Sequence, residues 1–514
     1  MKKYFLIAVA LLIMSAGVTK AQVTIGSTTD PQSFSILELI SGGERAFRLP
    51  QMTTDQRDAM VSKPEFQAEK NGKAQGLQIF NTATKCVETW NGLKWIQTCP
   101  PEGPIQEQIL LTIKTTNDSE IYYIPTSGYV SITYNHAYDW NVSVDGGAAV
   151  RKTRGTTTDH NGIALTIPKA GPHQIRITPY NSSEPGWGNA FGHAVSGGDA
   201  NSTANKQKLI SIDAPLTTKA FAPTNTFDAT GMFAWMFYNC TNLTTPAKIV
   251  DTYKLPETVT RLSNFLANMH YGNSSLTSPI DLSGLEGWFS NNQKITQLSN
   301  FLGGTHSGNI SDDTKINLTS PIDLSPLSGW FNGNTSIEQL ANFLANTHNN
   351  NTSLTSPINL SPLSGWFNGN TSITDLSSFL YYTHCGNTFL TSPIDIRPLS
   401  GWFNENRSMT LLSSFLSMTH HNNTSLILKG QKIFPNWIKT LKKTDATEIK
   451  DVEQAFSRMF YLNSSQSGDT AEPEFEDSSD GKTKLSDLGN PSGRKYTYQN
   501  RTVITNLGIG ANWK

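Results

Sequence analysis

Short apolar runs separated by turn-forming residues fill positions 105–220. Strand-like runs begin at Ile109, Val130, Trp140, Ile163 and Ile175, and Gly, Asn, Asp or Pro stand between them. Short β-rich runs at regular spacing are typical of a β-sandwich. The pattern therefore predicts an all-β unit over this part of the chain.

A second pattern repeats between about residues 230 and 430. Five strings run from Phe to His, and their His residues are His270, His306, His348, His384 and His420. Self-similarity of this kind predicts a stacked array in which each repeat buries its apolar side against its neighbours.

Each repeat contains two related halves. The string at Asn351 recurs at Asn370 and again at Asn387, which indicates coils of about 18 residues, two to each repeat. One half alternates apolar and polar positions and predicts a short strand. The other half, at 373–380, has apolar residues three and four apart and predicts a helical face.

The strand half sends alternate side chains to opposite sides. Leu354, Ile358 and Leu360 are expected to point inward. The outward positions of the four repeats are Thr277, Pro279, Asp281, Thr319, Pro321, Asp323, Thr355, Pro357, Asn359, Thr391, Pro393 and Asp395. Exposed faces of repeat proteins form extended binding surfaces, so we predict binding on this Thr–Pro–Asp face. The alternative is a solvated face with no ligand.

Two further columns have both a chemical and a structural interpretation. Five aligned His residues resemble a metal ladder, but rings two coils apart lie roughly 9–10 Å from each other, too far to share a zinc ion. We therefore predict His side chains that hydrogen-bond the adjacent coil, and no metal site. The aligned tryptophans are Trp288, Trp330, Trp366 and Trp402. They form either a core stripe or an exposed platform for glycans, and ring exposure distinguishes the two.

Four cysteines allow three full pairings. Cys86 and Cys99 flank a predicted hairpin with Asn91-Gly92 at its turn, so we predict a disulfide between them. Cys240 and Cys385 are about eight 18-residue coils apart, on the order of 40 Å. They are expected to be unpaired and buried.

The two ends of the chain differ from the rest. Met1-Lys2-Lys3, an apolar run at 5–14 and small residues before Gln22 have the pattern of a cleaved export signal. That run is too short for a membrane-spanning helix, so we predict an exported chain with no transmembrane segment after cleavage. The acidic run from Asp469 to Asp480 predicts a loose loop, and 496–504 a strand.

Composition restricts the function classes. Charged residues are 16% of the 514, and 40 Lys and Arg stand against 41 Asp and Glu. This balance disfavours a nucleic-acid binder, which needs a basic face. The 11 Trp, 24 Phe and 15 Tyr disfavour disorder throughout. The chain has no Gly-rich phosphate loop after a strand and no individual nucleophile–base set, so we predict neither an enzyme nor a cofactor.

Three segments resemble known families. Two strings resemble the N-terminal module of Bacteroides-type surface proteins: Leu49-Pro50-Gln51-Met52-Thr53-Thr54-Asp55-Gln56-Arg57 and Gly76-Leu77-Gln78-Ile79-Phe80-Asn81-Thr82. The string at 139–147 is similar to the immunoglobulin-like PKD fold. Met236-Phe237-Tyr238-Asn239-Cys240, echoed at 457–465, resembles BspA-like leucine-rich-repeat proteins. The last resemblance implies a Bacteroidota cell-surface protein linked to adhesion to host, matrix or bacterial macromolecules.

The expected fold is a β-rich head, an immunoglobulin-like (PKD-like) β-sandwich and an α/β leucine-rich-repeat solenoid. The expected boundaries are a signal peptide at 1–21, a head at 22–104, a sandwich at 105–220, a solenoid at 221–465 and a C-terminal loop and strand at 466–514. The expected function is non-enzymatic, adhesin-like binding of a protein or glycan at the outer cell surface. The alternatives are a glycan-binding module and a structural appendage or scaffold component. The ligand, the mode of retention and the oligomeric state stay open.

Overall fold

The computed structural model describes two compact units, Met1–Ile105 and Gln106–Lys514. The described residues are 23–25, 37–39, 49–82, 86–98, 107–126, 137–154, 161–180, 184–193, 199–223, 226–290, 292–308, 314–403, 406, 408–423, 425–427, 431–440, 474–477 and 479. The predicted signal peptide at 1–21, the strand at Val130, Cys99 and the segments 457–465 and 496–504 lie outside them.

The N-terminal unit combines a small sheet with two helices. Its elements are β1 (Val23–Ile25), β2 (Leu37–Leu39), β3 (Gln51–Met52), α1 (Thr54–Val61), α2 (Pro64–Glu69), β4 (Gln78–Asn81), β5 (Cys86–Trp90) and β6 (Trp95–Thr98). Strands β1 and β2 form a parallel pair, and the main sheet has the order β3-β4-β5-β6. All pairs within the main sheet are antiparallel except β3 with β4.

Local sequence signals explain both the helix start and the hairpin of this unit. The Thr53 hydroxyl accepts a hydrogen bond from the Gln56 amide at 3.2 Å, and the Gln56 side chain accepts one from the Thr53 amide at 2.9 Å. This capping box satisfies two free amides at the start of α1. Gly92, with φ of +98°, lies in the turn between β5 and β6, which confirms the predicted hairpin.

The second unit begins with two antiparallel sheets. Their strands are β7 (Ile109–Thr115), β8 (Glu120–Ile124), β9 (Tyr138–Val144), β10 (Val150–Arg154), β11 (Ile163–Ile167), β12 (Gly171–Pro179) and β13 (Leu209–Ile212). One sheet has the order β10-β9-β12-β7-β13, and β11 pairs with β8 in the other. Trp140 and Ile175 share a core with Tyr122 and Leu165 of the smaller sheet. The strands predicted at Ile109, Trp140, Ile163 and Ile175 are present.

The remaining elements are short and widely spaced. They are the 3₁₀ turn Asp199–Asn201, α3 (Thr203–Lys206), β14 (Leu216–Thr217), β15 (Lys248–Val250), β16 (Asp281–Gly284), 3₁₀ turns at Ser325–Leu327, Ser361–Leu363 and Arg397–Leu399, α4 (Ser400–Phe403), β17 (Lys432–Phe434), a 3₁₀ turn at Asn436–Thr440 and β18 (Glu474–Phe475). Parallel pairing joins β14, β15 and β16, and joins β17 to β18. Glu474–Phe475 therefore forms a strand inside the acidic run that the sequence predicts as a loop.

Single parallel bridges connect the repeats from about residue 228 to residue 411, which we call the repeat stack. They join Arg261 to Gln297, Gln297 to Gln339, Gln339 to Asp375 and Asp375 to Leu411. Partners of these bridges are one whole repeat apart in sequence, so each repeat is one coil. The prediction of two 18-residue coils per repeat is wrong.

The half that was expected to be helical is a ribbon of turns. Asn264, Leu266, Asn268 and His270 have φ between 54° and 59°, a region that non-glycine residues other than Asn rarely adopt. The Leu266 amide donates to the Met232 carbonyl of the preceding coil at 3.0 Å. The Asn268 amide donates to the Gly303 carbonyl of the following coil at 2.7 Å. These amides bond adjacent coils and cannot form the bonds of a helix.

The expected α/β leucine-rich-repeat solenoid, and with it the expected fold class, is wrong. The regular structure of the described residues consists mostly of short β-strands in several small sheets, and α4 is the one α-helix within the described part of 221–465. Apolar residues three and four apart can face a core from successive turns as well as from a helix. The periodicity therefore located the buried side chains but not the backbone conformation.

Both ends of the repeat stack are covered by other parts of the second unit. At the first coil, the Thr244 amide donates to the Ile210 carbonyl of β13 at 2.9 Å, and Phe191 packs on Phe237 at 6.0 Å between ring centroids. At the last coil, Trp437 packs 4.6 Å from Phe403, and Phe475 of β18 is fully buried. Covered ends remove the open edges through which repeat proteins would extend.

Candidate functional site

The five aligned His side chains form a continuous buried column. Successive ring centroids are 5.1, 6.1, 5.4 and 5.5 Å apart, and all five residues are 0% exposed. The expected spacing of 9–10 Å is wrong because neighbouring members lie one coil apart. Phe237 stacks on His270 at 5.4 Å, so the column continues the position that Phe237 occupies in the first coil.

Each His of the column accepts a backbone hydrogen bond from the preceding coil. His384 Nε2 accepts from the Ile358 amide at 3.0 Å, and the other four have the same bond at 2.9 to 3.2 Å. This confirms the prediction that these side chains bond the adjacent coil. Because Nε2 is the acceptor, the ring proton of each neutral His is on Nδ1.

The column holds its rings in the neutral state. Burial lowers the pKa of His270 and of His384 to about 3. Burial, followed by the charge of neighbouring His residues, lowers the pKa of His306, His348 and His420 well below the usual value. The rings are thus structural groups that join coils, with Nε2 already occupied.

The tryptophan column belongs to the core. Trp330, Trp366 and Trp402 are 0% exposed, and Trp288 is 3% exposed. Each indole N–H donates to a backbone carbonyl, as Trp366 does to Leu327 at 3.1 Å. A ring that is buried on both faces offers no platform for a sugar, so the core-stripe alternative is confirmed.

The cysteines divide into one bonded and two free residues within the described ranges. Cys86 is disulfide-bonded, and the pairing with Cys99 stays a prediction because Cys99 lies outside these ranges. Cys240 and Cys385 are free and buried, which confirms the prediction. They lie four coils apart, roughly 19 Å at 4.8 Å per coil, and not the 40 Å expected from shorter coils.

The Thr–Pro–Asp face is exposed at its four threonines and at Asp323 and Asn359, whereas Asp281 and Asp395 are half-buried. Thr277, Thr319, Thr355 and Thr391 are exposed, whereas the prolines are half-buried or, at Pro393, buried. The four acidic or amide side chains accept backbone hydrogen bonds two residues further on, at 2.8 to 3.0 Å; they are Asp281, Asp323, Asn359 and Asp395. One oxygen of each therefore orders a local turn, and binding by this face stays a prediction.

The two kinds of position on this face are expected to respond differently to substitution. Asn359→Ala removes the acceptor for the Ser361 amide and should lower the free energy of unfolding by about 1 kcal/mol, as the loss of a helix cap does. Thr355→Lys should change it by less than about 0.5 kcal/mol because the residue is exposed. Urea denaturation of both variants measures this, and equal effects would contradict the turn-ordering role of Asn359.

A buried polar network, which the sequence pattern did not predict, lies in the N-terminal unit. Glu88 of β5 is 0% exposed and forms an ion pair with Arg57 of α1 at 2.9 Å. Its second oxygen accepts from the Asn81 amide at 3.0 Å, and Asn81 also donates to Thr54 at 3.1 Å. Arg57, Asn81 and Thr54 all belong to the strings quoted for the surface-module resemblance, so the structure explains that pattern as a clamp between α1 and the sheet.

Breaking this clamp should destabilise the N-terminal unit. Arg57→Met leaves the carboxylate of Glu88 buried without its cation, which costs several kcal/mol in fully buried pairs. Because the Arg57 side chain is 15% exposed, we expect a smaller loss of about 2–3 kcal/mol. Thermal unfolding of Arg57→Met beside Lys73→Met, which removes an exposed pair, measures it. Equal effects would contradict the clamp.

The main sheet of the N-terminal unit has one buried face and one open face. Ile79, Asn81, Cys86, Glu88 and Trp90 are buried on the first. The open face consists of Gln78, Phe80, Val87, Thr89 and Ile96, all exposed or half-buried. Alternation along β4 and β5 marks the open positions within each strand, and the register between the strands joins these positions into one face.

The described residues form neither a metal-binding cluster nor a membrane-spanning helix. Within these ranges, no group of three or more His, Cys, Asp and Glu residues is arranged to hold a metal ion. No helix of the described part has the length and apolar character required to cross a membrane.

Comparison with known proteins gives a family match at the N-terminal end. Residues 24–119 match the family described as phage tail like trimerisation region. No curated protein and no solved structure matches the chain. The three resemblances drawn from sequence strings stay predictions, since the matched family is a different one. The match indicates self-association through the N-terminal part of the chain, and it favours a structural appendage or scaffold component over an adhesin.

Proposed function

We propose that the protein is a non-enzymatic structural subunit of an exported appendage or scaffold, and that three copies assemble through their N-terminal units. The observation that carries the proposal is the match of residues 24–119 to a trimerisation region. The repeat stack would then be the part that each subunit projects or contributes as a spacer.

The polar and aromatic side chains of the repeat stack bond neighbouring coils to each other, which supports a structural role. His, Trp and Asn side chains recur in columns and bond neighbouring coils, as in His384 to Ile358 and Trp366 to Leu327. Groups that are already bonded and buried are not available for a substrate. The covered ends of the stack also disfavour extension by stacking one chain end to end on another.

Export is part of the proposal. The pattern at 1–21 has the features of a signal peptide. The disulfide at Cys86 supports an oxidising compartment, because such bonds are rare in the cytosol.

The test is the molar mass of the purified full chain in solution. Size-exclusion chromatography with light scattering should give the mass of three chains over a wide concentration range. A monomer at all concentrations would overturn the proposed function. A stable dimer would overturn it as well, because the matched region is a trimerisation region.

A further inference from the structure

The open face of the N-terminal sheet has the character of a self-association surface. Antiparallel register places Phe80 opposite Val87, and Thr89 opposite both Gln78 and Ile96. Residues that are directly opposite on one face contact each other, so these side chains form two continuous rows. None of the five is charged, and Ile96 is 42% exposed.

The other side of the same sheet is already occupied. Phe66 of α2 packs edge-on against Trp90 at 5.2 Å, and the Trp90 indole donates to the Lys70 carbonyl at 2.7 Å. The helices there expose Asp55, Asp58 and other charged residues. The helical side is therefore solvated and charged, and the apolar surface is concentrated on the open face.

From this arrangement we infer that the open face of the N-terminal sheet is the surface through which three copies of this chain associate, an inference that rests on the proposed function. A residue near a threefold axis meets its own copies, so a charge on such a surface would face like charges. The open face contains no such charge. All five of its residues also lie inside the matched range 24–119.

Ile96 is the centre of the test because it is exposed on the face and lies on the last strand of the sheet. Leu93, at the tip of the adjoining hairpin, is a second apolar residue of this unit that is largely exposed, at 83%. A matched control exists in the second unit: Ile121 on β8 is 40% exposed and lies outside the matched range. Ile96→Glu and Ile121→Glu thus make the same change at equal exposure.

Light scattering distinguishes the outcomes when it compares the wild type with these two variants and with Val87→Glu, a second substitution on the open face. The inference expects a trimer for the wild type and for Ile121→Glu, and a monomer for Ile96→Glu. A trimeric Ile96→Glu and a trimeric Val87→Glu would overturn the inference and leave the proposed function standing. A monomeric wild type would instead overturn the proposed function, and the inference with it.

A milder variant guards against misfolding. Ile96→Ala keeps an apolar side chain on an exposed strand position, so the N-terminal unit should fold. It should raise the concentration at which half of the trimer dissociates by about tenfold or more, because truncation is repeated in all three copies. An unchanged midpoint, with circular dichroism equal to that of the wild type, would overturn the inference.

Discussion

Lowering the pH from about 8 to about 5 should strongly destabilise the repeat stack, because the unfolded chain binds protons that the folded chain excludes. The five column His residues have lowered pKa values in the fold, about 3 for His270 and His384, against about 6.5 when unfolded. Protonation of Nε2 would also place an N–H against the backbone N–H that it now accepts from. The stabilising contribution is therefore fully present above the unfolded pKa and falls as the pH drops below about 6.5.

The expected size follows from the two pKa values. For His270 and His384, whose folded pKa values are about 3, the free energy of unfolding falls by about 2 kcal/mol for each residue at about pH 5. The pKa values of the other three column His residues are lowered mainly by burial, so their protonation adds further losses of the same sign, and the total is a large part of the stability of a typical domain. Urea denaturation at a series of pH values measures how steeply the free energy of unfolding falls with pH. Stability that stays flat down to about pH 5 would contradict a neutral, buried column.

Two variants test the column as the main source of this pH dependence. His384→Gln removes one titrating group and should reduce the slope of the unfolding free energy against pH by about one sixth. The share is not larger because His193, buried in the same unit with its pKa also lowered to about 3, contributes as well. His173 is the control, because its bond to Asp145 at 2.7 Å raises its pKa. Its stabilising contribution is present at low pH and is lost as the pH rises. His173→Gln should therefore leave the loss in acid undiminished.

The sequence pattern predicted which side chains are buried more accurately than it predicted the backbone conformation. Alternation at Leu354, Ile358 and Leu360 correctly predicted three buried positions, at 0%, 2% and 1% exposure. Apolar spacing at 373–380 failed because a ribbon of turns brings the same residues to the core. A helix and such a ribbon differ in where their amides bond, and hydrophobic spacing carries no information on that.

The misjudged coil length has an equally local cause. Asn351, Asn370 and Asn387 each accept hydrogen bonds from the amides two and three residues further on, at 2.7 to 3.2 Å. The 18-residue motif is therefore a real turn motif, but it marks two corners of one coil.

The open face of the N-terminal sheet was missed for another reason. Its residues belong to separate strings of the sequence, and only the register between the strands shows them as one surface.

Trp366→Ala should be the most destabilising single substitution among those considered, and it separates the roles of the two units. The ring is 0% exposed. Its centroid lies 4.6 Å from the ring centroid of Phe331 and 6.1 Å from that of Trp402, on which it stacks. Truncating such a ring costs about 3–5 kcal/mol, and the Leu327 carbonyl loses its donor at about 1 kcal/mol more. Urea denaturation should therefore show a loss of about 4–6 kcal/mol. Trp366→Phe, which leaves a smaller cavity, should lose about half as much.

The same variants test whether assembly depends on the repeat stack. If three chains associate through their N-terminal units, Trp366→Phe should stay trimeric by light scattering although its second unit unfolds at lower urea. Phe389→Ala, at a residue that is 56% exposed, serves as the control and should change stability by less than about 0.5 kcal/mol. Dissociation of Trp366→Phe into monomers under native conditions would contradict this division. It would mean that the second unit contributes to the contact between subunits, either through the stack itself or through residues 106–119, which belong both to this unit and to the matched range.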